Sequence, residues 1–250
     1  MILIKLGGSV LTFKNEKYTF RTRVTKRLLN EIKKSEVDDY ILVHGGGSFG
    51  HPGAKEYSIN DSDSKTSAEA ISKVQLDMRR MNNRVLGLMQ DIGLWGVSIP
   101  GGLVTFFKNG ELKTIDEEIF KRYLELNTIP VAFGDVTVDV EQGMTICSGD
   151  DIVLGLSKLA DKTIFVSDVD GIYKEGQVVE KFVADMFPLT SEDIPGDSDV
   201  VDVTGGMNQK VKKMLDISKN CETHLVNGNK KGRLRSILDG NQVLSTEVRG

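Results

Sequence analysis

Short apolar runs alternate with helical patterns along this chain. Ile2–Lys5, Tyr40–Val43, Trp95–Ile99, Ile129–Ala132, Thr163–Ser167 and Thr223–Val226 read as buried strands. Between them, Arg23–Lys34, Ser67–Ile92, Asp150–Leu159 and Met207–Lys219 read as helices. In the second helix, Ile71, Val74, Met78, Met81, Val85, Leu88 and Ile92 recur in steps of three and four, which places them on one face. Most of that stripe reads as core, and one end of it could wall an apolar pocket. Asn109-Gly110 predicts a hairpin over Val104–Thr114, and Lys174-Glu175-Gly176 predicts a second over Gly171–Phe182. The polar stretch Ile59–Thr66 and the acidic stretch Pro188–Asp202 read as loops. Strands alternating with helices predict an α/β fold with a mainly parallel sheet. No repeat, low-complexity tract or long linker divides the chain.

Composition narrows the classes of function. The 250 residues are 39% hydrophobic and 27% charged, with a formal net charge of -4. That balance argues against a nucleic-acid surface or a polybasic membrane patch. No apolar run approaches the ~20 residues that span a bilayer. Met1–Lys5 is too short for a signal peptide. Cys147 and Cys221 lack metal-ligand spacing and read as small buried hydrophobes, which predicts a reducing, cytoplasmic setting.

Three glycine-and-cation motifs carry the chemistry. Lys5-Leu-Gly-Gly-Ser9 ends the first strand, and His44-Gly-Gly-Gly-Ser-Phe-Gly-His51 follows the second. Val203-Thr-Gly-Gly-Met207 precedes Lys210 on the last helix. Bare backbone N–H groups beside lysines suit phosphate, so three such sites suggest a polyanion or two anions held side by side. His51 reads as a general base, a metal ligand or an anion clamp. No second histidine or cysteine completes a metal site with it. His44 reads as a hydrogen-bonding support, and His224 as core. Gly149-Asp150-Asp151 starts a helix with one more carboxylate than a cap needs, free to hold lysines or contribute to Mg²⁺ binding. Ser167-Asp168-Val169-Asp170-Gly171 lies at a strand end, where a nucleotide's ribose could meet it. Gly45-x-Gly47-x-x-Gly50 also satisfies a dinucleotide fingerprint, but His51-Pro52-Gly53 follows where a helix should open.

Together and in this order, these motifs resemble the amino acid kinase superfamily, and the resemblance covers essentially the whole chain. Within it, the glycine-rich loop ending in His51, Lys14, Tyr173 and Asp202-Val-Thr-Gly-Gly-Met207 most resemble the isopentenyl phosphate kinases. The fosfomycin kinases, which share the terminal histidine, are near neighbours, so a phosphonate or another small acceptor is the alternative. The resemblance implies one domain over residues 1–250, a three-layer αβα sandwich around a mainly parallel sheet. An acceptor lobe would occupy about residues 1–145 and a nucleotide lobe about residues 146–250. It implies ATP and Mg²⁺, isopentenyl phosphate as acceptor, and a homodimer. Lys5, Gly7, Gly8 and Ser9 would face the ATP phosphates, with Gly47 at the γ-phosphate and Lys14 on the transferring group. Gly45, Gly46, Gly50, His51 and Gly149 would line the acceptor side. Asp150 or Asp151 would organise the lysines. Asp168, Asp170 and Tyr173 would lie by the nucleotide, with Gly205, Gly206 and Lys210 on its phosphates.

Overall fold

The computed structural model describes residues 1–13, 16–50, 67–189 and 203–250, with backbone alone at 203–206. Lys14, His51, the polar stretch 59–66 and the acidic stretch 190–202 lie outside the described residues. The strands are β1 (Ile2–Leu6), β2 (Tyr40–His44), β3 (Gly96–Pro100), β4 (Thr105–Lys108) and β5 (Glu111–Ile115). Then come β6 (Ile129–Phe133), β7 (Asp135–Asp139), β8 (Gly143–Cys147) and β9 (Lys162–Ser167). Last are β10 (Tyr173–Lys174), β11 (Gln177–Val178), β12 (Lys181–Val183), β13 (Glu222–Asn227) and β14 (Ser245–Arg249). Among the described residues the helices are α1 (Gly8–Leu11), α2 (Thr22–Lys33), α3 (Ala68–Asp91) and α4 (Gly101–Val104). They continue with α5 (Glu117–Glu125), α6 (Gly149–Leu156), α7 (Val203–Ser218) and α8 (Arg233–Leu238).

All six expected strands join one sheet, in the order β12-β14-β13-β9-β1-β2-β6-β3. Its pairs are parallel except β13 with β14. Side chains alternate across it, as the pleat requires. Leu3, Ile41, Val43 and Phe165 pack with Phe120 of α5, Ile152 and Leu156 of α6, and Val211 and Met214 of α7. Ile4, Leu6, Leu42 and Ile164 face the other way, onto Leu28 and Ile32 of α2, Met81 and Val85 of α3, and Leu234 of α8. Strands buried on both faces read as continuous apolar runs, which is why β1, β2, β6 and β9 were visible in the sequence. The result is a three-layer αβα sandwich.

The apolar stripe of α3 divides between two clusters. Met81, Val85 and Met89 join the core beneath the sheet. Ala70, Val74 and Met78 instead pack with Phe133 and Val136, flanked by Ile71, Met144 and Ile146. Both hairpins form where expected, with Asn109, Gly110, Glu175 and Gly176 all at positive φ. A third, β7–β8, was not anticipated. Asp139 at its tip accepts from the N–H groups of Asn109, Gly110, Glu141 and Gln142, so one carboxylate ties two turns together. Cys147 and Cys221 are free and buried, as expected. His224 lies near the expected core position, with its side chain 13% exposed and its Nε2 meeting Glu222 Oε1 at 2.6 Å.

Candidate active site

The sheet order reverses about β1, which lies between β9 and β2, so a crevice opens at their carboxyl ends. Two glycine loops meet there backbone to backbone. A Cβ on Gly8 would lie 2.4 Å from the nitrogen of Gly47 and 2.5 Å from its Cα. One on Gly45 would lie 3.0 Å from the nitrogen of Gly8. Gly47 has φ +47, and its Cβ would fall 2.3 Å from Thr12 Oγ1. Residues 47–50 begin a helical turn, in which Phe49 and Gly50 donate to the Gly46 carbonyl at 3.1 Å each. The N-terminal ends of this turn, where Ser48 N donates to Thr12 Oγ1, and of α1 therefore sit side by side, as two adjacent anions would need.

Charge gathers at the same point. Lys5 leaves β1 buried and pairs with Asp150 Oδ1 at 2.7 Å. Partial burial alone would raise the pKa of Asp150, whose side chain is 16% exposed, but Lys5, Lys210 and Lys213 together hold it below the usual carboxylate range. Ser148, not glycine or Asp150, caps α6: its hydroxyl accepts from Asp151 N while the Asp151 carboxylate accepts from Ser148 N. Gly149 is the first helical residue, and a Cβ there would meet the His44 carbonyl at 3.1 Å and Lys5 Cε at 3.5 Å. The two carboxylates thus divide the lysines. Asp150 takes Lys5, and Asp151 takes Lys213 at 2.6 Å.

His44 supports the loop from below. It stacks on Phe133 with centroids 5.3 Å apart, Nε2 accepts from Asn82 at 3.1 Å, and Nδ1 donates to the Gly45 carbonyl at 3.1 Å. Burial pushes its pKa down to about 4. A histidine neutral when folded must take up a proton on unfolding, so its contribution is lost as pH falls from the unfolded value of 6.5 through about 4. Asp135 acts oppositely. Burial raises it to about 6, although Arg79 pairs with it at 3.1 Å, so it gains stability as pH falls through the same range. Replacing His44 by glutamine is therefore expected to remove an acid-sensitive loss of up to about 3 kcal/mol, leaving the Asp135 gain. Urea unfolding of both proteins at pH 6.5 and pH 4 measures it.

On the opposite side of the crevice, Asp168 accepts from Ser9 Oγ at 2.7 Å, which fastens the first loop to the end of β9. Asp170 faces away from that loop and holds Asn227 and Arg233 at 3.0 and 2.5 Å. Tyr173 opens the following hairpin. Gly205 and Gly206 lie within the first turn of α7 rather than ahead of it, with Lys210 further along the helix. Three features had no place in the sequence reading. Lys213 and Asn82 are two of them. The third is Tyr18, whose hydroxyl donates to Asp77 at 2.9 Å while its N–H donates to Ser48 beside the central loop. Ser148-x-x-Asp151 is a legible capping-box signal, and Lys213 lies three residues beyond Lys210 on one helix face. Nothing local marks Asn82 or Tyr18.

Among the described residues no group of three His, Cys, Asp or Glu side chains is placed to hold a metal ion. None of the described helices is long and apolar enough to cross a membrane. Residues 1–227 match the amino acid kinase family. The chain is 34% identical to an isopentenyl phosphate kinase of Methanocaldococcus jannaschii, over 99% of this chain and 98% of the relative. It is 32% identical to the Thermoplasma acidophilum isopentenyl phosphate kinase, over 95% and 96%. It superposes on a crystal structure of the T. acidophilum isopentenyl phosphate kinase product complex with a TM-score of 0.80, at 27% identity, covering 100% of both chains.

Proposed function

Because this chain belongs to the amino acid kinase family, we propose that it transfers the γ-phosphoryl group of ATP to isopentenyl phosphate, giving isopentenyl diphosphate and ADP. The observation that carries the proposal is the buried Lys5–Asp150 pair set against two glycine loops in backbone contact. Lys5, Gly7, Gly8, Ser9, Gly47, Gly205, Gly206 and Lys210 would hold the ATP phosphates, and Lys14 the transferring group. Asp168 supports that loop through Ser9, while Asp170 and Tyr173 would bound the nucleotide. Gly45, Gly46, Gly50, Gly149 and His51 would hold the acceptor phosphate. Residues 1–145 would then form the acceptor lobe and 146–250 the nucleotide lobe.

The acceptor needs no general base. A phosphate monoester has a second pKa near ~6, so its oxygen is already a nucleophile at pH 7. That oxygen attacks the γ-phosphorus in line, the bond to the bridging oxygen breaks, and ADP leaves. The obstacle is repulsion between two phosphates, which lysines and N–H groups fixed in advance offset. Asp150 and Asp151 are both engaged by lysines, so Mg²⁺ would arrive on the nucleotide's phosphates and neutralise part of their charge.

The apolar tail has a matching buried cluster beside the loop. Cβ atoms built on Gly46 and Gly50 would lie 3.1 and 2.9 Å from Met78 Sδ, and Met78 continues into the cluster of Val74, Phe133 and Val136. An isopentenyl chain would leave the phosphate loop over that cluster. A homodimer and a cytoplasmic setting complete the proposal, the latter favoured by two free, buried thiols.

Two experiments check it. ADP release with Mg-ATP is expected to be fastest with isopentenyl phosphate, against fosfomycin, acetylglutamate and UMP. Preference for fosfomycin would reassign the acceptor. Secondly, His51→Ala is expected to raise the acceptor KM and lower turnover, and His51→Gln to keep part of both through hydrogen bonding. Wild-type kinetics in the alanine variant would remove His51 from the site.

A further inference from the structure

Lys213 belongs to none of the motifs above, yet it bridges the two helices that meet at the crevice. Its Nζ lies 2.6 Å from Asp151 Oδ1 and 3.3 Å from Ser148 Oγ. Both partners form the capping box of α6, and Asp151 uses its other oxygen, Oδ2, to accept from Ser148 N and Oγ. Lys213 therefore grips a carboxylate whose own direction is fixed. The neighbouring residue, Asp150, holds Lys5. On α7, Lys210 precedes Lys213 by three residues, so both project from one face of the helix.

Among the described residues, α7 packs into the core through Met207, Val211 and Met214 and is also tied by polar contacts. Asn208 bonds the backbone of Leu189 in both directions, at 2.8 and 3.1 Å. The Lys213–Asp151 pair supplies a second anchor, from α6. Because the pair is only partly exposed, with side chains at 30% and 12%, it is screened less than a surface pair. We propose that Lys213 is a positioning residue: by pinning α7 to the α6 cap through Asp151 and Ser148, it sets Lys210 and the Gly205–Gly206 turn at the correct distance from Lys5 to hold the nucleotide's phosphates. This rests on the proposed function for the nature of the ligand. It also divides the labour of the two aspartates: Asp150 orders a phosphate-facing lysine directly, and Asp151 orders one through its helix.

The test separates nucleotide from acceptor. Lys213→Met is expected to raise the KM for ATP and the Kd for Mg-ADP about tenfold, since small misplacements of a binding group are costly. The KM for isopentenyl phosphate is expected to stay within about twofold, and Lys213→Arg to stay within about threefold of wild type throughout. Asp151→Asn is expected to show the same split, and the double variant to be no worse than the poorer single one, because both remove one contact. An unchanged Mg-ADP affinity in folded Lys213→Met protein would overturn the proposal. So would a parallel rise of both KM values that tracks a lowered Tm, and so would additive losses in the double variant. Lys213→Gln, which keeps a polar tip, gives the same readings if the methionine variant folds poorly. Mg-ADP affinity is measured without acceptor, so a wild-type protein that binds Mg-ADP but leaves isopentenyl phosphate unchanged counts against the proposed function alone.

Discussion

Lys5→Met is expected to lower kcat by about 10²–10³-fold, the usual scale for removing one fixed electrostatic contact to a developing charge. It is also expected to destabilise the fold, for a separate reason. Asp150 is largely buried, and that burial disfavours its ionised form. Without Lys5, Lys210 and Lys213 still act against that burial, but the direct ion pair is gone. Breaking a buried pair from one side costs up to about 3 kcal/mol. Adding Asp150→Asn to Lys5→Met should therefore recover much of the lost Tm and none of the lost turnover. Thermal unfolding beside steady-state kinetics on the two variants checks this. A double variant that regains activity would mean that Lys5 serves only to neutralise Asp150.

Gly8→Ala is expected to reduce kcat/KM by about 10²-fold, because the glycine loops must separate. The new methyl would sit 2.4 and 2.5 Å from backbone atoms of Gly47, which cannot swing aside as a side chain could. Ordinary carbon contacts lie near ~3.5–4.0 Å, so the loops would part by about 1 Å. That shift would separate the two loops proposed to hold the γ-phosphate and the acceptor, and misplacement of reacting groups on this scale is costly. Both KM values are expected to rise with the fall in kcat. Near-normal kinetics in this variant would mean that the contact between the loops does not set the distance between the phosphates.

Much of this was legible in the sequence, and the pattern of what was not is physical. The central strands β1, β2, β6 and β9 were visible because strands covered on both faces are apolar nearly throughout. The glycine motifs were visible because close backbone approach at Gly8, Gly45 and Gly47 disfavours any side chain there. The β7–β8 hairpin was not anticipated; it buries Asp135 and Asp139, polar residues that break its apolar pattern, and pairs them with Arg79 and with backbone N–H groups. His44 and Asn82 stand 38 residues apart in the chain, so their contact follows from packing and from no local signal. The choice between Asp150 and Asp151 had a local answer. A serine three residues before Asp151 assigns that aspartate to the cap and leaves Asp150 to Lys5.

The central claim is that this crevice joins two phosphates. The most direct measurement is ³¹P NMR of the protein with Mg-ATP and isopentenyl phosphate. The account predicts loss of the isopentenyl phosphate singlet and growth of two mutually coupled diphosphate doublets, in step with ADP. Growth of ADP with inorganic phosphate alone, the singlet intact, would contradict it.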